Sequence, residues 1–479
     1  MTDFSNASPS KSLLTKRHSS PENTQSAAKA DNGEGAKNVA NNHRYLSPKR
    51  LSAQQREYWY IHGKAYDLKP FFKSHPAGEQ PLILSKGRDV SEMFESAHAL
   101  SNKNVHAMLK QFEVKDAVIP AEYATQRYSW KEDGTYAELA RRVKKIYPSR
   151  ESYKASWQWW VGLVALAFSY FSLQIISFTY GYTLMAIVAG TMGPVLGFYG
   201  LLHDASHHSV STNPTVNKWL SIFSNHLYFW HAAVWWQHHC FAHHSHTGDP
   251  ELDPDLRNGT KFIRKSPYFP LKPYHKYQKY FSYLLYLLLP NQAIGQTLSY
   301  RRAIQIGKIF GVPLIRYESA RSLFESIATR SIEAFSLFLH FVYPIMCLGF
   351  FQGLSVSCCF WAGVGITYYI IVAPGHDTNV VSFKQKQDWG DQQIMHSSNF
   401  SHSNKVLTFL VGGMNYQIEH HLFPSVSWIH LPRIAKIVKE VCAERNMPYN
   451  HFDTLWDAHK AVYLNSEQLG VQRDIDRGD

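Results

Sequence analysis

The chain has 479 residues but only five cysteines, and none is spaced as a Cys-x-x-Cys pair or a disulfide framework. That scarcity excludes a thiolate zinc site and a disulfide-stapled secreted fold. Cys347, Cys358 and Cys359 fall within apolar stretches, which suits a reducing environment. Charge is missing over two long segments: from Ala155 to His203 and from Ala334 to His376, runs of 49 and 43 residues, there is no Lys, Arg, Asp or Glu. Cores of soluble proteins rarely sustain such runs, so buried helices of a large soluble protein are a poor account of them. The first 50 residues lack an apolar core and are rich in Ser, Asn, Lys and Ala. They read as a disordered tail and not as a secretory signal, with a plastid transit peptide as the alternative. Acidic residues are absent between Arg257 and Lys279, where seven Lys or Arg stand. The net charge of +12 is spread over the loops, so a membrane surface explains it more economically than nucleic acid.

About 20 apolar residues cross a bilayer as a helix, so each uncharged run holds two crossings and a tight turn. The turns are expected near Tyr180-Gly181-Tyr182 and Gln352-Gly353-Leu354. A membrane hairpin returns the chain to the side it left, and the basic segment places that side, with both termini, in the cytosol. Two shorter stretches, Trp219 to Trp236 with His226 and His231, and Tyr280 to Pro290, suit interfacial or re-entrant helices.

What the chain has in abundance is histidine, 26 in all, and three clusters flank the uncharged runs. They read His203-Asp204-Ala205-Ser206-His207-His208, His239-Cys240-Phe241-Ala242-His243-His244 and Gln417-Ile418-Glu419-His420-His421. Residues at i and i+4 share a helix face, so His203 with His207, and His239 with His243, are each expected to grip one cation. Imidazole suits iron, copper, zinc or nickel. A single His-x-x-x-His would be an ordinary surface or core pair; three clusters at the same edge of apolar segments point to a shared metal site.

Ahead of the first run, residues 52–118 have the makings of a small separate domain. Tyr58 to Leu68 alternates like a short hairpin, His75-Pro76-Ala77-Gly78-Glu79 forms a turn, and Asp89 to Ala97 looks helical before His98. Two histidines across a helical pair can approach one haem from opposite sides and fill both axial positions. On spacing alone, two ordinary loop histidines are the simpler reading.

Motifs carry this further. Tyr66-Asp67-Leu68, the His75-Pro76-Ala77-Gly78 turn, Gly87-Arg88-Asp89 and His98 resemble a cytochrome b5 domain, with Ala77 in place of the usual glycine. The resemblance implies haem b held by His75 and His98, with strain at Ala77 if that position needs a positive φ. The histidine clusters resemble the membrane fatty acyl desaturases, and within them the front-end group fused to cytochrome b5. The run Gly412-Gly413-Met414-Asn415-Tyr416-Gln417-Ile418-Glu419-His420-His421-Leu422-Phe423-Pro424 is the most specific match, Gln417 replacing the first histidine of the third box. The family then implies two non-haem irons held by His203, His207, His239, His243, His244, His420 and His421, with Gln417 nearby and His376 as a further ligand. His208, His238 and His246 are expected to orient ligands or to lie at the surface.

The expected architecture is mostly α: an integral membrane four-helix desaturase domain (155–451) whose cytosolic helical cap carries a diiron site. Before it come a tail (1–50), an α+β cytochrome b5-like domain (52–118) and a linker (119–154); a C-terminal tail (452–479) follows. Breaking an unactivated C–H bond is beyond any side-chain base at neutral pH, whereas an iron–oxygen oxidant with two electrons can do it. The implied partners are a fatty acyl-CoA or phospholipid-linked acyl chain, dioxygen, an NADH-cytochrome b5 reductase and the lipid bilayer. The endoplasmic reticulum is the expected location, a plastid membrane the alternative. Three other activities fit the same elements: a sphingolipid long-chain-base desaturase, a fatty acyl hydroxylase, or a non-catalytic membrane-anchored haem electron carrier.

Overall fold

The computed structural model describes residues 51–258, 262–288, 291–314 and 322–473. The tail expected over 1–50 lies outside the described residues.

Residues 51–118 build from a two-stranded hairpin, Trp59–Ile61 against Lys64–Tyr66, in antiparallel register with Tyr60 opposite Ala65. His62 (φ 50°) and Gly63 (φ 73°) make its turn with two successive left-handed residues, the geometry that matches the twist of paired strands. Trp59, Ile61, Tyr66, Leu68, Leu82 and Leu109 close a small core behind the hairpin. The helix Ser91–His98 carries one of the two histidines expected to hold haem.

Residues 119–154, expected as a linker, are structured. Thr135–Ile146 is a helix that buries Tyr136, Leu139 and Val143, and these join a core with Ile434, Ala435 and Val438 of the helix Leu431–Glu444.

Among the described residues, four helices are long and apolar enough to cross a membrane: Trp157–Tyr180, Thr183–Ser206, Leu323–Leu348 and Phe350–His376. Their outward faces expose Val164, Phe168, Leu184, Met346 and Phe351, as a lipid-facing surface requires. The first turn falls at Gly181 (φ 76°), where the sequence placed it. The second falls at Gly349 (φ 80°), ahead of the expected Gln352-Gly353-Leu354. Gly349 takes the left-handed break, while Gly353 sits inside the next helix, where a Cβ would lie 2.5 Å from Ile345 Cα. The third span starts before the charge-free run, at Leu323, with the Ser322 hydroxyl capping the Glu325 amide at 3.1 Å. The second and fourth spans run in the same direction and cross through small residues. A Cβ on Gly190 would stand 1.9 Å from Phe360 O, and one on Gly363 2.3 Å from Ile187 O, the close backbone approach by which membrane helices associate.

A cap of shorter helices covers one end of the spans. It includes Pro214–Leu227, Ala232–Trp235 running into a π-helix Trp236–His243, Trp389–Met395 and Gln417–Leu422. Residues 452–479, expected as a tail, begin with the helix Leu455–Val471. Its Val462 is buried with Tyr369 and Ala373 of the fourth span.

Candidate metal centre

All three histidine clusters converge at the capped end of the spans, and they sort into two groups. His203, His207, His239, His244 and His420 each offer one ring nitrogen, all within 4.8 Å of one another; His243, His376 and His421 form a second set by the same measure. The rings of His244 and His421 stack at 4.1 Å and link the two groups. Every one of these histidines is buried except the half-buried His376.

The pairing differs from the expected i, i+4 geometry in the second cluster. There His239 meets His244, Nε2 to Nε2 at 3.3 Å, and His243 turns toward His376 and His421 instead. The cause is the π-helix over Trp236–His243. Its wider turn brings residues five apart into line, and such turns recur at functional sites. The small group His239, His243 and Asp255 shows that the His239–His243 face is not wholly lost. His203 and His207 do stay together, although their helix is only the four residues His203–Ser206.

The donor chemistry suits cations. Burial holds His207, His239, His244, His420 and His421 well below the usual histidine range, and the neighbouring imidazoles add to the effect. Neutral rings keep a free lone pair, the form that binds metal. His420 Nε2 lies 3.1 Å from His244 Nε2, and both ring nitrogens of His203 are buried without a hydrogen-bond partner. One proton can bridge one such pair, whereas a metal ion satisfies the whole set.

Other groups aim the rings. His243 Nδ1 donates to Asp253 Oδ1 at 3.0 Å, with Asp255 Oδ2 at 3.5 Å. Burial alone draws this histidine down, but the two carboxylates outweigh it and push it up to about 9. They favour positive charge at the ring's other nitrogen, where a cation replaces the proton. His421 Nδ1 sits 3.0 Å from both Thr247 Oγ1 and Gln393 Oε1, and His376 Nδ1 donates to the His396 carbonyl at 2.9 Å. Behind the third cluster Glu419 accepts from Asn399 Nδ2 and Tyr449 Oη at 2.9 and 2.8 Å, and burial pushes its carboxyl up to about 7. Sequence reasoning missed Asp253, Asp255, Gln393 and Glu419 as supports. The acidic run Asp249-Pro250-Glu251-Leu252-Asp253-Pro254-Asp255, directly after the second cluster, was the available signal. Replacing Asp253 by asparagine, which keeps a helix cap, is expected to weaken metal retention about tenfold to a hundredfold. Dialysis against graded chelator measures it, and unchanged retention removes Asp253 from the support.

Gln417 joins the second group: its amide nitrogen lies 2.9 Å from His376 Nε2 and 3.1 Å from His421 Nε2. Of the extra histidines, His238 bonds Asp255 at 2.5 Å, His246 stacks on Tyr128, and His208 belongs to neither metal group.

Two cavities adjoin the cluster. One, of about 590 Å³, is lined by His239, His243, His376 and Gln417 together with Trp230, Tyr300 and Tyr368. A Lys265–Asp377 ion pair of 2.8 Å lies at its side. A narrow apolar recess with Gly193, Tyr228 and Trp361 continues it between the second and fourth spans, sharing Phe198 and Tyr368. The other cavity, of about 380 Å³, holds His75 and His98. Their rings stand 6.2 Å apart. His75 Nδ1 donates to Gly78 O at 2.9 Å and His98 Nδ1 to Phe94 O at 2.7 Å, so each keeps its Nε2 lone pair for a ligand between them. The left-handed residue of that turn is Gly78 (φ 79°); Ala77 is not at a positive φ, so it carries none of the feared strain.

The chain is similar to known proteins over most of its length. A family model described as "Fatty acid desaturase" matches residues 178–453, and one described as "Cytochrome b5-like Heme/Steroid binding domain" matches residues 46–117. The chain is 29% identical over 415 residues to the "Acyl-lipid (7-3)-desaturase, chloroplastic" of Chlamydomonas reinhardtii, covering 82% of this chain and 77% of that one. It is 28% identical over 440 residues to the "Acyl-lipid (8-3)-desaturase" of Mortierella alpina, covering 86% and 93%. A "Probable Delta(5) fatty acid desaturase C" of Dictyostelium discoideum is 29% identical over 433 residues, covering 84% and 89%.

Proposed function

The chain belongs to the fatty acid desaturase family and carries a fused cytochrome b5-like domain, and on that premise we propose that it is a front-end acyl-lipid desaturase. It is a membrane oxidoreductase with a haem in its N-terminal domain and a diiron centre among its histidines. Its reaction inserts a double bond between the carboxyl end of a lipid-linked acyl chain and a double bond already present. The observation that carries this reading is a cavity of about 590 Å³ that members of both histidine groups, His239 with His243 and His376, help to line and that shares Phe198 and Tyr368 with a narrow apolar recess between the spans.

His203, His207, His239, His244 and His420 hold one iron, and His243, His376 and His421 hold the other. Gln417 completes the second set through its oxygen. That oxygen is buried without a partner while the nitrogen faces two Nε2 atoms, and turning the amide over puts oxygen lone pairs where a cation sits. Bound there, the irons supply an oxidant made from dioxygen that is strong enough to remove hydrogen from an unactivated carbon. The chain's own task is to exclude water, keep the ligands aimed and hold the acyl group at one depth. His75 and His98 hold the haem of a domain spanning 52–118, the desaturase domain spans 155–451, and an NADH-cytochrome b5 reductase reloads the haem. The protein sits in the endoplasmic reticulum with both termini in the cytosol, in keeping with the basic segment Arg257 to Lys279 beside the cap.

Expression in a host without polyunsaturated fatty acids, fed two acyl chains differing by two carbons at the methyl end, tests the reaction. The new double bond is expected at a constant distance from the carboxyl carbon in both products, as located by mass spectrometry. A constant distance from the methyl end overturns the front-end assignment, and added oxygen in place of unsaturation identifies a hydroxylase.

A further inference from the structure

Arg88 is charged yet only 5% exposed. Its guanidinium Nη2 donates to Gln237 Oε1 at 2.9 Å and to the Pro313 carbonyl at 2.5 Å, so a residue of the haem domain is bonded within the desaturase domain. Gln237 stands two residues before His239 on the π-helix. A second tie runs the other way, from Arg150 Nη1 to the Pro76 carbonyl at 3.2 Å. The turn carrying His75 also rests on the cap: a Cβ on Gly78 would lie 3.2 Å from Pro214 Cβ. A buried guanidinium is costly unless its donors are satisfied. Pulling the domains apart would strip Arg88 of both acceptors at once.

The consequence is visible in the haem cavity. Besides His75 and His98 its lining includes Trp236, Cys240, His207 and His244, and the last two belong to the five-histidine metal group. Cys240 Sγ lies 3.5 Å from Ser206 O and 4.0 Å from His207 Nε2. Two of the metal-group histidines thus line the haem cavity directly.

We infer that Arg88 latches the haem domain in a docked position, so that the haem cavity and the metal site share the Trp236–Cys240 wall and electrons cross it within one chain. This rests on the desaturase reading above. One electron moves per crossing, oxidising ferrous haem to ferric and reducing one ferric ion of the metal centre. Two crossings and two protons complete the balance in which dioxygen and two substrate hydrogens become two waters. A flexible tether would give such transfer only the effective concentration of its linker; docking fixes the partners at contact.

The test uses the full chain, purified with haem and iron, its haem reduced by dithionite and mixed rapidly with oxygenated acyl-lipid substrate while the haem spectrum is followed. Reoxidation is expected to be first order and independent of protein concentration. Arg88→Ala is expected to slow it about tenfold or more, the remaining rate staying first order because the undocked haem domain is still tethered. Its low-spin spectrum and haem midpoint potential should match the parent, since His75 and His98 are untouched, and amide exchange at residues 75–78 should rise. If Arg88→Ala does not fold, Arg150→Ala serves the same comparison. A parent rate proportional to concentration, or variants that reoxidise as the parent does, overturns the latch. Failure to form any double bond strikes the desaturase reading instead, because the latch is judged on a chain that desaturates.

Discussion

Replacing His243 by alanine is expected to lower non-haem iron from about two per chain to about one and to reduce turnover a hundredfold or more. The asymmetry of the two histidine groups makes this the sharpest single substitution. His243 belongs to the set of three, in which removal leaves two imidazoles and Gln417. His420 belongs to the set of five, so His420→Ala keeps four donors and should retain more iron while still losing turnover. Metal analysis of the purified variants, alongside product analysis, separates the two cases. By contrast His208→Ala should keep measurable turnover, because that ring lines the haem cavity and not the metal groups. Full activity in His243→Ala or His420→Ala would remove the residue from the site.

His75→Ala is expected to abolish the low-spin haem spectrum and to cut turnover driven by NADH about a hundredfold, with non-haem iron unchanged. In the parent chain both axial positions are filled, so the reduced haem should not bind carbon monoxide. The structure removes the one reservation that the sequence raised, since Gly78 and not Ala77 takes the left-handed position in the turn. A variant that still shows six-coordinate haem would disqualify His75 as an axial ligand.

Much of this was legible in the linear sequence because charge and histidine are discrete signals. The two uncharged runs announced four crossings, and the turn at Gly181 fell where a lone glycine between tyrosines suggested it. The turn at Gly349 was misplaced because a second glycine, Gly353, lay nearby, and only packing reveals that it serves helix contact. The histidine clusters were plain, but the division of labour between His243 and His244 was not. Helical periodicity assumes 3.6 residues per turn, and the π-helix over Trp236–His243 breaks that assumption without any mark in residue type. Arg88 was noticed as part of a motif, yet its bond to Gln237, 149 positions away, depends on how two domains meet.

The crossing of Gly190 and Gly363 has a mechanical side. His203 stands 13 residues beyond Gly190, and His376 stands 13 residues beyond Gly363. At about 1.5 Å per residue, His376 rides roughly 20 Å out on one arm of a pair of scissors pivoted at the glycines, and His203 rides on the other, which a π-helix and the non-helical Gly200 interrupt. Opening the blades by about 5° would part the two tips by about 2 Å, the difference between a nitrogen that reaches a metal and one that does not. A side chain wedged into the pivot, deep in the apolar layer and far from any histidine, would therefore be felt at the irons as lost alignment.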